Sequence, residues 1–159
     1  VMGEAKELRE QGVRVKIMGE RSRFSKEVLD MIAYIEETTA DAERLTLVLA
    51  FNYSSRREIT LGVQDIARRV ANGTLKAEDI NEQTIAESLM TAQMPDPDMI
   101  IRTSGECRLS NFLLWQSSYA EFYFPETLWP DFTEEEFDKA IEVFSKRDRR
   151  YGLVTETKE

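Results

Sequence analysis

The sequence contains no histidine and only one cysteine among its 159 residues. Without histidine, the chain can form neither a Ser-His-Asp triad nor a metal site built on imidazole. The one cysteine, Cys107, cannot form a disulfide within the chain, which is typical of proteins from a reducing compartment. We therefore expect a cytoplasmic protein.

The sequence also has no excess of positive charge and no long hydrophobic run. Its net charge of −9 argues against non-specific binding to nucleic acid, which requires a basic surface. A few arginines can still create a local pocket for a small anionic substrate. No apolar run approaches the ~20 residues of a membrane span. The chain starts with valine in a helical pattern, so we expect that an N-terminal part of the natural chain is absent.

Short apolar strands alternate with amphipathic helices along the chain. A helix is predicted from the spacing of Phe24, Val28, Ile32 and Ile35. This alternation predicts an α/β fold with a mostly parallel β-sheet flanked by helices. The run "LTLVLAF" is almost continuously apolar, so we expect that strand to be buried on both faces. The predicted strands are Val13–Met18, Leu45–Phe51, Met99–Arg102 and Glu121–Phe124.

Capping patterns place further helices. Ser55 with Glu58, and Thr133 with Glu136, match the capping-box spacing. Asn72-Gly73 should end the first of these helices, and Gly152 the last. Shorter helices are predicted over Glu82–Thr91 and from Ser110, as N-cap, to Gln116. Residues 1–152 are assigned to one domain and residues 153–159 to a tail.

The loop "RTSGECR" carries the densest group of polar residues and follows a predicted strand. Ligands of α/β folds bind at the carboxyl ends of strands. The guanidinium groups of Arg102 and Arg108 offer paired donors that suit phosphate oxygens, and the hydroxyls of Thr103, Ser104 and Ser110 add further donors. These residues predict a phosphate or diphosphate site. The alternative is a surface turn in which the arginines pair with Glu106 or another carboxylate.

Three other positions each have a functional and a structural interpretation. Glu121 lies in an apolar segment, where it could hold a cation such as Mg²⁺ or occupy the exposed face of an edge strand. The segment "NYSSR" could line the same pocket or cap the helix that follows it. The run Arg149–Gly152 suits the C-terminus of a helix, where basic residues complement the helix dipole.

The segment "PDMIIRTSGECRLSNFLLWQSSYAEFYFPETLWPDF" resembles the C-terminal signature of the cis-prenyltransferases, the undecaprenyl diphosphate synthase family. The resemblance extends from "GVRVKIMGE" through "LVLAFNYSSRREI" to "RDRRYG". It implies a parallel six-stranded sheet flanked by helices, a hydrophobic tunnel and a homodimer. It also implies Mg²⁺-dependent condensation of isopentenyl diphosphate with an allylic diphosphate such as farnesyl diphosphate, with new double bonds in the cis configuration.

The resemblance assigns roles to individual residues. Arg102, Arg108 and Ser110 would bind the diphosphate of isopentenyl diphosphate. Glu121 would help to hold Mg²⁺, and Glu106 would act as a catalytic carboxylate in the same polar site.

At the C-terminus, Arg150 and Gly152 match an Arg-x-Gly motif that binds substrate in the partner subunit's active site. The product would be a polyprenyl diphosphate lipid carrier, through which the enzyme could associate peripherally with a membrane.

The sequence departs from the family pattern in two respects. Cys107 occupies a position where some relatives carry histidine. The family's Asp-Gly-Asn-Gly-Arg and Phe-Ser-x-x-Asn-Trp segments, the first of which holds the essential aspartate and the first strand, do not occur in this sequence. We therefore expect a C-terminal part of the enzyme that is inactive alone.

Two alternatives to a catalytic chain remain. One is a non-catalytic subunit of a heteromeric cis-prenyltransferase, and the other is a plain phosphate-binding α/β module. Catalysis is favoured because the signature retains all of its substrate and metal residues, namely Arg102, Glu106, Arg108, Ser110 and Glu121.

Overall fold

The computed structural model describes residues 2–147, which belong to two compact units. Unit 1 comprises Val1–Met94 and unit 2 comprises Pro95–Glu159. The prediction of one domain over residues 1–152 stays a prediction.

Unit 1 is built around two parallel strands, β1 and β2. They pair in register from Val13 opposite Leu45 to Met18 opposite Ala50. Single-turn 3₁₀ helices occupy Arg21–Arg23 and Ala77–Asp79. In chain order the elements are α1 (Met2–Glu10), β1 (Val13–Met18), α2 (Lys26–Thr38), β2 (Leu45–Ala50), α3 (Ser55–Ala71) and α4 (Glu82–Glu87).

The core of unit 1 lies between β1 and α2. Alternate residues of β1, Val15 and Ile17, are buried against Ile32 of α2, as the two-residue period of a strand requires. Side chains at the C-terminal end of α2 also satisfy the backbone of β1. The amide of Val15 donates to Oγ1 of Thr39 at 2.9 Å, and the amide of Ile17 donates to Oε1 of Glu36 at 2.8 Å. These bonds occupy donors that an unpaired strand edge would otherwise leave open.

Unit 2 contains a second pair of parallel strands and a C-terminal helix. Strands β3 (Met99–Ile101) and β4 (Glu121–Tyr123) pair with Met99 opposite Glu121. A 3₁₀ turn over Trp129–Asp131 precedes α5 (Glu134–Ser145). Thr133 caps α5 as predicted, because its hydroxyl accepts the amide of Glu136. The predicted capping box is only half formed, since the carboxylate of Glu136 binds Thr127 and Lys139 instead.

The α/β class with parallel strands flanked by helices is confirmed. The four predicted strands are present, but among the described residues they form two separate two-stranded sheets. The burial predicted for β2 is wrong within these residues. Leu45, Leu47 and Leu49 are 57%, 38% and 36% exposed, so the described residues do not cover this part of the strand. An apolar run thus indicated the strand correctly without indicating what covers it.

Two helix predictions also need correction. The N-cap of α3 is Ser54 and not Ser55, so the predicted capping box begins one residue too late. Ser55 is fully buried, and Glu58 accepts hydrogen bonds from Tyr53 and Met90.

The helix predicted from Ser110 to Gln116 is replaced by turns. Ser110, Asn111 and Leu113 have positive φ angles of 48°, 64° and 47°, which an α-helix does not allow.

No helix within residues 2–147 is long and apolar enough to cross a membrane.

Candidate functional site

The predicted polar loop lies in unit 2, directly after the carboxyl end of β3. Its backbone is held against the segment that follows β4. The amide of Arg102 donates to the carbonyl of Tyr123 at 3.0 Å, that of Ser104 to Thr127 at 2.9 Å, and that of Gly105 to Pro125 at 2.8 Å. Because the two strands are parallel, both loops emerge at the same edge of the sheet. This edge is where the sequence predicted a ligand site.

Helix α5 adds a second support to this loop. Thr127, whose carbonyl accepts the amide of Ser104, donates its hydroxyl to Glu136 at 3.2 Å. The ammonium of Lys139 also binds Glu136 and lowers the pKa of its carboxyl, with a smaller contribution from Thr127. The carboxylate therefore remains ionised and links the loop support to α5.

The loop contains a concentration of left-handed backbone. Ser104 and Gly105 have φ angles of 69° and 64°, and Ser110 and Asn111 follow with 48° and 64°. Residues other than glycine adopt this region at a cost of about 1–3 kcal/mol each. Such conformations concentrate at ligand sites, where the surrounding structure holds them in place. The backbone thus supports a functional interpretation of the loop.

Arg102 and Ser110 are brought together by this backbone. Nη1 of Arg102 donates to Oγ of Ser110 at 3.0 Å and also to the carbonyl oxygen of Arg108. The two residues are eight positions apart, so the left-handed turn closes the loop on the guanidinium group. This arrangement orients a planar cation and a hydroxyl toward one location, as a phosphate oxygen acceptor requires.

Arg108 instead pairs with Glu106. Nη1 of Arg108 donates to Oε2 of Glu106, and the side chains are 60% and 41% exposed. The surface-turn alternative is therefore observed for this arginine. An exposed ion pair contributes at most about 1 kcal/mol, so a diphosphate could compete for Arg108 at little cost. Cys107, between the two, is exposed, and its thiol donates to the carbonyl oxygen of Gly105 at 3.6 Å.

Glu121 begins β4 and has a cationic partner that the sequence analysis did not single out. Its Oε2 lies 2.6 Å from Nη1 of Arg147, which follows α5. The basic run "SKRDRR" after that helix was the available signal. No group of three or more metal-ligating side chains occurs within residues 2–147. Mg²⁺ often takes one or two protein carboxylates and completes its shell with substrate phosphates and water, so Glu121 fits this role once Arg147 releases it.

Arg150 and Gly152 lie outside the described residues, as does the rest of the predicted Arg-x-Gly segment. The site residues that the structure does place are Arg102, Glu106, Arg108, Ser110 and Glu121. The first four share the loop at the carboxyl end of β3, whereas Glu121 lies opposite Met99 at the other end of the same strand pair, so the structure does not place it in that loop.

The comparisons with known proteins agree on one family. Residues 1–152 match the prenyltransferase family model "Putative undecaprenyl diphosphate synthase". An isoprenyl transferase of Agrobacterium fabrum is 50% identical over 150 residues, covering 94% of this chain and 61% of the relative. A ditrans,polycis-undecaprenyl-diphosphate synthase of Vibrio vulnificus, named as (2E,6E)-farnesyl-diphosphate specific, is 45% identical over 153 residues, covering 96% of this chain and 61% of the relative.

Solved structures give the same result for the fold. The lavandulyl diphosphate synthase of Lavandula x intermedia, in complex with dimethylallyl diphosphate, has a TM-score of 0.86 and 32% identity. The match covers 95% of this chain and 69% of that one. The chain spans 61% of the length of the two curated relatives.

Proposed function

Because the chain belongs to the undecaprenyl diphosphate synthase family of prenyltransferases, we propose that it forms part of an enzyme that elongates prenyl chains in the cis configuration. The enzyme condenses isopentenyl diphosphate with an allylic diphosphate and releases a polyprenyl diphosphate. The specificity named for the Vibrio vulnificus relative supports farnesyl diphosphate as the allylic substrate.

The loop geometry around Arg102 carries this proposal. Its guanidinium group is already oriented by Ser110 at the carboxyl end of β3, before any substrate arrives. Diphosphate oxygens would replace the hydroxyl and carbonyl acceptors, and Arg108 would turn from Glu106 to the same group. Binding then needs little rearrangement, which reduces its entropic cost.

The proposed reaction is that of the family, and the cationic groups of this site suit its diphosphate substrates. The double bond of isopentenyl diphosphate attacks the allylic carbon, the allylic diphosphate leaves, and a proton is lost from the new unit. Arg102, Arg108 and Ser110 hold the isopentenyl diphosphate head through its oxygens. We assign Glu106 as the catalytic carboxylate of this group, since it adjoins Arg108 and is ionisable.

We include Mg²⁺ in the proposal, with Glu121 as one of its carboxylate ligands. When bound, the ion would neutralise negative charge on a diphosphate group. Glu121 supplies a hard oxygen ligand at the start of β4, and Arg147 occupies that oxygen otherwise.

The remaining parts of the proposal concern assembly and location. We propose a homodimer in which Arg150 and Gly152 of one subunit bind substrate in the other. The single cysteine supports a cytoplasmic enzyme, and its lipid product supports peripheral contact with a membrane.

An isotope-incorporation assay with the complete protein tests the activity. We expect labelled isopentenyl diphosphate to be added to farnesyl diphosphate. Arg102→Ala should lower kcat/KM by about 10- to 100-fold, because a charge-assisted hydrogen bond is worth about 1.5–3 kcal/mol. Glu106→Gln should lower kcat. Arg68→Ala, which removes an exposed arginine paired with Asp65 on α3, is the control and should change neither constant.

Two results would contradict this proposal. Unchanged kinetics in Arg102→Ala would refute the diphosphate assignment. A complete protein that is inactive alone but restores activity to a heterologous subunit would identify the non-catalytic alternative.

A further inference from the structure

A second polar cavity lies in unit 1, formed by residues to which the proposed reaction assigns no role. It is open to solvent, has a volume of about 530 Å³ and is lined by Glu20, Arg23, Asn52, Tyr53, Ser54 and Arg57. These residues follow the carboxyl ends of β1 and β2 and extend into the first turn of α3. We call it the strand-end cavity. A single water occupies about 30 Å³ of liquid, so the space accommodates a phosphoryl group with its hydration.

Hydrogen bonds between two loops form the floor of the strand-end cavity. Glu20 and Asn52 exchange hydrogen bonds, with the Glu20 amide donating to the Asn52 carbonyl at 3.2 Å and Nδ2 of Asn52 donating to the Glu20 carbonyl at 2.8 Å. Gly19 makes this approach possible, since its φ is 137° and a Cβ would lie 1.7 Å from the carbonyl oxygen of Phe51. The two loops are therefore fixed relative to each other without a ligand.

Two arginines give the strand-end cavity an excess of positive charge. Nε and Nη2 of Arg57 bind the two carboxylate oxygens of Glu20 at 2.9 and 3.0 Å, which fixes the orientation of that guanidinium. Arg23 also lines the cavity, and its charge makes a smaller contribution to lowering the pKa of Glu20. Two cations face one carboxylate here, in a chain whose net charge is −9.

Helix α3 adds a hydroxyl donor to the same place. Ser54 is its N-cap, but its side chain makes no capping hydrogen bond, so the hydroxyl remains available to a ligand. The N-terminus of a 17-residue helix also favours an anion. This contribution is secondary to the charge of Arg23 and Arg57.

We propose that the strand-end cavity binds a phosphate or diphosphate group through Arg23, Arg57 and Ser54. Arg23 supplies a second positive charge, Arg57 is preoriented by Glu20, and Ser54 donates its hydroxyl. This goes beyond the proposed function and does not rest on it, since the residues of the loop at Arg102 take no part.

Titration of the isotopically labelled complete protein with inorganic pyrophosphate tests this site. We expect saturable shifts in the amide resonances of Asn52 and Ser54. Arg23→Gln should raise the pyrophosphate concentration at half-saturation about tenfold or more, the change that one charge-assisted hydrogen bond supplies. A parallel titration with isopentenyl diphosphate distinguishes free pyrophosphate from the head of a prenyl diphosphate, and saturation by either ligand supports the proposal.

Arg44→Gln is the matched control. Arg44 is exposed and directly precedes β2, at the opposite end of the strand from the cavity, so the variant makes the same change in net charge. It should bind as the wild type does. Ser54→Asp separates binding from folding, because aspartate is a good N-cap yet adds a negative charge to the cavity. This variant should fold and lose the saturable response.

The result that would overturn the proposal is a wild-type protein whose Asn52 and Ser54 resonances do not shift saturably. Equal weakening by Arg23→Gln and Arg44→Gln would overturn it too, because the response would then reflect net charge alone. A pyrophosphate response confined to the loop at Arg102 would reject the strand-end cavity and leave the proposed function intact.

Discussion

Oε2 of Glu121 lies 2.6 Å from Nη1 of Arg147, which also donates to the carbonyl oxygen of Phe122 at 2.9 Å. The arginine thereby joins the segment after α5 to the start of β4. It also neutralises the carboxylate that we propose as a ligand of Mg²⁺. A cation at Glu121 and the guanidinium of Arg147 should therefore compete for the same oxygen.

This competition predicts that substitutions of Glu121 and of Arg147 change the Mg²⁺ dependence of activity in opposite directions. In the complete enzyme, Glu121→Gln should raise the Mg²⁺ concentration needed for half-maximal activity, because the amide is a weaker ligand. Arg147→Gln should lower that concentration, because it removes the competitor. Activity measured across a Mg²⁺ titration at fixed ionic strength checks both.

The neighbouring Lys146 provides a control for this experiment. It carries the same charge but pairs with Glu142 on α5. Lys146→Gln should leave the Mg²⁺ titration unchanged. Glu121→Gln with wild-type Mg²⁺ dependence would show that Glu121 serves only the ion pair.

A second prediction concerns the buried carboxylate of Glu58, which is 1% exposed. It accepts hydrogen bonds from the hydroxyl of Tyr53 at 2.6 Å and from the amide of Met90 at 2.9 Å. Tyr53→Phe removes one donor and leaves the charge less satisfied. We expect the free energy of unfolding of the chain to fall by about 1–3 kcal/mol in urea denaturation.

A double-mutant cycle shows whether this loss acts through the carboxylate. In a Glu58→Met background, Tyr53→Phe should cost much less, because no buried charge then needs the hydroxyl. An equal cost in both backgrounds would assign the effect to packing of the ring.

The strands were the part of the fold that the sequence predicted best, for a physical reason. Val13–Met18 alternates between apolar and polar residues, and a strand built this way needs no knowledge of its neighbours. The burial of Leu45–Ala50 could not be predicted from its own residues. An apolar run has the same composition whether another element covers it or not, and burial depends on contacts remote in sequence.

The loop at Arg102 was predicted as a site, but its internal geometry was not. The sequence suggested a helix from Ser110, since serine is a good N-cap. Left-handed backbone at Ser110 and Asn111 prevents that helix and closes the loop on Arg102 instead. Asparagine tolerates this conformation, but local propensity alone does not require it.

A third prediction concerns acid stability and Glu20. Hydrogen bonds from Arg57 and then Ser22 lower the pKa of Glu20 from 4.5 to about 2. Because the folded pKa is the lower one, the pair stabilises the fold above pH 4.5 and loses that contribution as the pH falls toward 2. We expect the wild type to have a higher Tm than Glu20→Gln. This difference should be constant near neutral pH and should disappear as the pH falls toward 2.

Glu142→Gln provides a second test of the same mechanism, since Lys146 also lowers the pKa of Glu142, which lies on the exposed surface of α5. In both variants the Tm difference from the wild type should shrink as the pH falls, because both carboxylates are stabilised in their charged form. A Tm advantage at Glu20 that persists unchanged down to pH 2 would mean that the charge contributes nothing and that the side chain acts through packing.

The last prediction tests whether Arg150 acts across a dimer interface. A mixed dimer pairs one subunit carrying Arg150→Ala with one carrying Arg102→Ala. If Arg150 serves the partner's site, both lesions fall in one active site and the other site stays intact. The mixed dimer should then retain about half of the wild-type activity, as expected for two equivalent sites in a dimer with two-fold symmetry.

The contrary arrangement gives a clearly different result. If Arg150 acts within its own subunit, each site of the mixed dimer contains one lesion and activity should be close to that of the single variants. Differently tagged subunits, purified in tandem, ensure that only mixed dimers are assayed. A Tm equal to that of the wild type in Arg150→Ala would show that the residue is not merely part of a helix end, so that a loss of activity reports on substrate binding.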